Sequence, residues 1–232
     1  MNQIKGGLYA LFLSFKRDFY IFTAINTMFL LLALIMGMLL PDIQIITIGI
    51  FMVGIFTFII SMKLLDRSLA ILLRYGLDRN RYIAVASGFM LLWSLANAAV
   101  LFVINAVILF FTKQFDVVSV VVPRLTMLYD DSLSLAVNYV MDASLIFMLA
   151  MIGMLINVMF YRYGAVGGYS FIGIILALLF IGMPLKWYGH LIDGLLSWNA
   201  GLFIATMLGL AATILAIVWA MTRRVSTISA NV

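Results

Sequence analysis

Cysteine is absent from this chain of 232 residues, which excludes disulfides and thiolate metal sites. Glutamate is absent too, since all nine acids are aspartate. That removes every motif that depends on glutamate, including the HExxH metalloprotease site. His190 is the single histidine, so a metal site built from several imidazoles is excluded. No GxxxxGK[ST] stretch occurs, so the chain does not hold ATP through a P-loop. Any ATP it uses is handled by another polypeptide. Charge of either sign is scarce, at 10% of residues.

Apolar residues fill the space left by these absences. They make up 66% of the chain, against about 45–50% in a soluble domain. Mean hydropathy is +1.21. Several apolar runs are long enough to cross a bilayer. The runs are long and uniform, unlike the short alternating strands of a membrane barrel. The expected fold class is therefore an all-α membrane protein, forming one transmembrane domain over residues 1–232.

Six spans are expected, over residues 19–40, 43–62, 79–112, 134–160, 166–184 and 200–221. Pro41-Asp42 makes a tight turn after the first, and Tyr161-Arg162-Tyr163-Gly164 ends the fourth. The third run reaches about 50 Å as a helix, more than the roughly 30 Å hydrocarbon core, so it must tilt, kink or project. The connection at 113–133 carries Pro123 and Asp130-Asp131. The segment with Lys186, Trp187, Tyr188, His190, Asp193 and Trp198 reads as a short external amphipathic segment before span six.

An even number of spans places both termini on one side. Eleven of the fourteen Lys and Arg residues fall on that side; Lys113, Arg124 and Lys186 fall on the other. The positive-inside rule makes the termini cytoplasmic. The same distribution explains the net charge of +5 without nucleic acid. Asp42, Asp116, Asp130, Asp131 and Asp193 lean outward.

The first eighteen residues do not read as a cleavable signal, because the apolar run that follows is too long. Ile4, Leu8, Leu11, Phe12, Phe15 and Phe19 recur at helical spacing beside Lys5, Lys16 and Arg17. An N-terminal interfacial helix that bends into span one is expected, with a plain extension of that span as the alternative.

The stretch Leu72–Tyr82, LLRYGLDRNRY, concentrates Arg74, Arg79 and Arg81 between two apolar runs. Ser68–Tyr75 reads as a short helix, with Leu69, Leu72 and Leu73 on one face. Gly76 stands where a helix ends in a left-handed residue. Asp78 stands at the N-cap of the next helix. Arg79 and Arg81 in its first turn oppose the helix dipole, which points them at anionic lipid or a partner.

With that loop, the leading surface helix and the six spans, the chain resembles the permease subunits of bacterial type-2 ATP-binding-cassette exporters. A pattern like G-[ISV]-[ST]-R-x-x-[FY] in such loops aligns here with Gly76, Leu77, Asp78, Arg79 and Tyr82, with Leu77 in place of Ile, Ser or Val and Asp78 in place of Ser or Thr. The resemblance implies a cytoplasmic coupling helix between spans two and three. Leu69, Leu72, Leu73, Arg74, Tyr75, Gly76, Asp78, Arg79 and Arg81 would then meet an ATPase subunit. It further implies a second permease, identical or related, surrounding membrane lipid, and ATP with Mg²⁺ bound on the ATPase rather than here.

Polar residues inside the spans are the remaining candidates. Ser94, Asn97 and Asn105 (with Ser87) lie along the third helix, and Asn138 and Asp142 share a face of the fourth. Such groups either line a path or bond neighbouring helices. Asp142 is the more informative, because a charge in the membrane is costly. His190 among Trp187 and Tyr188 reads as an interfacial belt residue. Gly49, Gly54, Gly164, Gly167 and Gly168 read as packing positions.

The function expected is export of a hydrophobic or amphipathic substrate, such as a peptide, toxin, antibiotic or lipid-like molecule. A self-contained secondary transporter or channel is the alternative. A membrane enzyme is a third, with no nucleophile–base pair legible.

Overall fold

The computed structural model describes residues 3–40, 44–47, 49–115, 120–121, 134–185, 187, 189–190, 194 and 197–223. These are almost entirely helical. The elements are α1 (Gln3–Leu39), β1 (Ile45–Ile46), α2 (Gly49–Met62), α3 (Leu64–Arg74), α4 (Arg79–Gln114), β2 (Val120–Val121), α5 (Leu135–Gly182) and α6 (Ala200–Thr222). Helices α1, α4, α5 and α6 are each long and apolar enough to cross a membrane. Helices α2 and α3 together form a fifth candidate, bent by 43°.

This differs from six separate spans in two ways. The first is α1, which is one unbroken helix of 37 residues, about 55 Å long. The separate interfacial helix is therefore not formed, and the plain extension of span one is what the chain adopts. The second is α2, which has 14 residues, about 21 Å, rather than the run from 43. Ile45 and Ile46 are extended instead and pair in parallel with Val120 and Val121. Both segments are runs of β-branched residues, which favour extended backbone over helix. Helix α5, by contrast, has two arms, covering the expected fourth and fifth spans, separated by a break at Gly164 (φ 68, ψ −168), where the sequence places the end of the fourth. That left-handed φ is one glycine adopts without the steric cost of a Cβ. The chain turns there, bringing Gly168 against the Phe160 ring and Tyr169 edge-on to it at 5.2 Å.

The direction of each helix follows from its contacts. Helices α1 and α4 run parallel: Gln3 meets Arg81, Gly7 meets Val85, Phe15 meets Phe89, and Leu30 and Leu34 pack with Ile108. Helices α2 and α3 run parallel to the first arm of α5, with Gly54 at Leu149, Ser61 at Gly153 and Leu65 at Asn157. Helix α6 continues the series, with Phe203 near Met141 and Met221 near Arg162. The chain is thus laid out as successive hairpins facing the same way.

The largest core cluster lies toward the end where α1 begins. Phe15, Leu64, Leu65, Tyr82, Met90, Met151 and Met154 are fully buried there. Trp93 is its aromatic hub, with Phe19 at 5.2 Å, Phe89 at 5.4 Å and Phe56 at 6.1 Å. The turn Pro41-Asp42, Arg124, Pro123, Asp130-Asp131 and most of the 113–133 connection lie outside the described residues. So do Lys186, Tyr188, Asp193 and Arg224, and with them much of the expected amphipathic segment.

Candidate functional site

Helix α3 begins at a break, and breaks leave backbone groups without helical partners. Asn157 of α5 supplies them. Its side-chain oxygen accepts the Leu65 amide at 3.1 Å, and its amide donates to the Met62 carbonyl and to the Asp66 carboxylate at 3.3 Å. One buried side chain therefore closes the last turn of α2 and the first turn of α3 together. Partial desolvation at this junction raises the Asp66 pKa above the ordinary carboxylate range, and the hydrogen bond from Asn157 works against that rise.

Two further contacts fix α3. Ser68 hydrogen-bonds the buried Tyr82 hydroxyl of α4 at 3.0 Å and returns to the Leu64 carbonyl at 2.6 Å. Arg67 pairs with Asp18 of α1 at 2.8 Å and lies over the Phe15 ring. Leu64, Leu65, Leu69 and Leu72 are buried beneath these contacts.

The helix ends as the sequence predicts. Gly76 has φ +83, its amide donates to Leu73 at 3.0 Å, and the Leu77 amide donates to Leu72 at 3.1 Å. These paired bonds, with Leu77 and Leu72 both buried, form a glycine-terminated helix end. Asp78 then caps α4, its side chain accepting the Arg79 amide at 2.8 Å.

The residues expected to meet a partner divide into two sets. Leu69 and Leu72 are 4% and 2% exposed and serve the chain's own core. Leu73 is half-buried against the same core. Their amphipathic face is real, but it covers α1, α4 and α5 rather than facing outward. Arg74, Tyr75 and Asp78 are exposed, and Ile71 joins them at 50%. Arg79 is half-buried, and the Arg81 guanidinium donates to the Gln3 side chain of α1. The exposed surface is therefore Ile71, Arg74 and Tyr75, with Arg79 and Arg81 at its edge.

At the opposite end of α4, a cleft of about 420 Å³ opens between α4 and α5. Asn105, Asn138 and Asp142 all line it, as their placement within the spans suggests. Lys113, read from sequence only as an outward charge, lines it too. Ser94 and Asn97 do not reach it. They are buried, and each bonds its own helix, Ser94 to the Met90 carbonyl at 2.8 Å and Asn97 to the Trp93 carbonyl at 2.9 Å.

Asn157 and Ser68 are the residues that reading the sequence passes over. A lone asparagine in an apolar run was the available signal for Asn157, but its partners lie 91 to 95 positions away. No family model, characterised protein or solved structure matches the chain.

Proposed function

We propose that this chain is the membrane-spanning permease of an exporter driven by a separate ATPase subunit, in a bacterial cytoplasmic membrane with both termini inside. The observation that carries the reading is the anchoring of α3. A short helix at the basic end is bonded to α1, α4 and α5 at once, yet leaves Ile71, Arg74 and Tyr75 exposed on its outer surface. A surface that receives force from a motor needs both properties: a stiff connection to the spans and an exposed apolar and basic face. A second permease completes the translocation path, and ATP with Mg²⁺ is bound by the motor.

Co-purification from detergent with a candidate ATPase tests this. The triple variant Ile71→Asp, Arg74→Glu, Tyr75→Ala alters only exposed side chains, so it keeps the fold. It is expected to lose the ATPase and its stimulated hydrolysis. Undiminished association and transport by that variant would remove the coupling role from α3.

A self-contained secondary transporter is the second reading, favoured by ionisable Asp142 and Lys113 in one cleft. It predicts transport by the chain alone in proteoliposomes.

A further inference from the structure

A groove of about 430 Å³ opens between α1 and α4, toward the end where α1 begins. Tyr9, Phe12 and Phe19 of α1 line it with Leu92, Trp93 and Ala96 of α4. Tyr9, Phe12 and Leu92 are more than half exposed, so the groove is open from outside the bundle. Its walls are apolar, but a charge stands on its face. Lys16 is exposed, four residues after Phe12 and three before Phe19, which puts it on their side of α1. Helical side chains lean toward the N-terminus, which carries the Lys16 stem back along the groove toward Phe12.

The level of this lysine in a bilayer follows from α1 itself. From Asp18 to Leu39 there are about 22 residues, a rise of about 33 Å, against a hydrocarbon core of roughly 30 Å. Lys16 therefore stands at one edge of the core, where headgroup phosphates lie. Phe19 and Trp93, in ring contact at 5.2 Å, lie on the core side of it with Ala96, and Tyr9 lies on the water side. An amphiphile with an anionic head and an apolar chain complements that order. No acid of the two helices competes for the ammonium: Asp18 is the only acid of α1 and α4, and it is paired with Arg67. A second copy seated on the groove about a two-fold axis would bring another Lys16 against the first, which makes it the poorer occupant.

We propose that this groove binds an anionic phospholipid, its phosphate at Lys16 and an acyl chain along Phe19, Trp93 and Ala96. This goes beyond the permease reading and needs only that α1 and α4 cross a bilayer. The groove shares no residue with the exposed surface of α3, so a failure of lipid binding is distinguishable from a failure of coupling.

The test uses the full chain in vesicles, with Trp93 fluorescence reporting a brominated acyl chain beside it. Trp187→Phe, Trp198→Phe and Trp219→Phe leave Trp93 as the single tryptophan of four. Dibromo-phosphatidylglycerol is titrated into phosphatidylcholine vesicles, with dibromo-phosphatidylcholine as the comparison. The anionic lipid is expected to occupy the groove about fivefold more readily. Lys16→Gln is expected to remove that preference. Arg17→Gln, an equal loss of charge on another face of α1, is expected to keep it. Ala96→Phe fills the groove and is expected to lessen quenching by both lipids. Thermal midpoints report folding, and native mass spectrometry of lipid retained by the unaltered chain and by Lys16→Gln carries the test if the triple replacement does not fold. Equal quenching by the two lipids, a preference that survives Lys16→Gln, or one lost equally with Arg17→Gln overturns the proposal. No quenching by either lipid also overturns it and leaves a protein surface, a second copy or a partner, as the occupant.

Discussion

The Leu65 amide donates to the side-chain oxygen of Asn157 at 3.1 Å, joining the first turn of α3 to the middle of α5. Replacing Asn157 by Leu keeps the branched shape of the side chain but orphans this amide and the Met62 carbonyl. Each buried unsatisfied group costs about 1–3 kcal/mol, so a loss of about 2–6 kcal/mol is expected in reversible unfolding in detergent. Hydrogen exchange should rise first at residues 63–66.

Ser68 and Tyr82 share a buried hydrogen bond between α3 and α4. Ser68→Ala and Tyr82→Phe should each destabilise, and together by less than their sum. A double-mutant cycle on thermal unfolding is expected to give a coupling of about 1 kcal/mol. Zero coupling would mean that the two helices are held by apolar contacts alone.

Gly76→Ala meets no atom within 4 Å, so its cost is purely that of a left-handed backbone. About 1–2 kcal/mol is expected. Gly76→Asn should cost less, because Asn tolerates that region. Equal midpoints for the two variants would contradict the φ-based account.

Gly153 is different, because the obstacle there is another helix. A Cβ would collide with the Ser61 hydroxyl and stand 2.6 Å from the Phe58 carbonyl oxygen. Gly153→Ala should push α2 from α5 and cost about 1–3 kcal/mol. Ser61→Ala should rescue only part of this, since the backbone carbonyl remains.

Asp66 gives the chain a pH dependence of defined sign. Its folded-state pKa is raised by desolvation, so the native state holds this proton more tightly than the unfolded state. Its contribution to stability is present at low pH and is lost as pH rises through the raised value. Thermal midpoints measured from below the ordinary carboxylate range to neutrality should show this decline. Asp66→Asn should flatten that part of the profile.

Local features were legible in the sequence because they depend on one or two residues. Gly76 and Asp78 mark a helix stop and restart that the backbone itself requires, and Gly164 marks the break in α5. The start of α4 at Arg79 followed from the same cap chemistry, and α6 starts at the expected Ala200, where Asn199 accepts the Leu202 amide at 2.7 Å, a cap that reading the sequence passes over. What an amphipathic face touches was not legible. Leu69 and Leu72 announce an apolar stripe, but the same stripe serves a core or a partner equally well. The continuity of α1 was hidden for a related reason. Lys16 and Arg17 suggest an end at the interface, yet no residue nearby breaks the helix. Asn157 was hidden because its bonds depend on two helices meeting in register.

The parallel pairing of α1 with α4 has a consequence for biosynthesis. The face of α1 bearing Leu11, Phe15, Leu30 and Leu34 is buried largely by a helix that begins about 75 residues later. At about 5–20 residues per second, that partner is made roughly 4–15 s after α1. For that interval the first hairpin stands without its neighbour. Whatever receives the nascent chain must shelter a 37-residue helix that carries Lys16, Arg17 and Asp18 within it until α4 arrives.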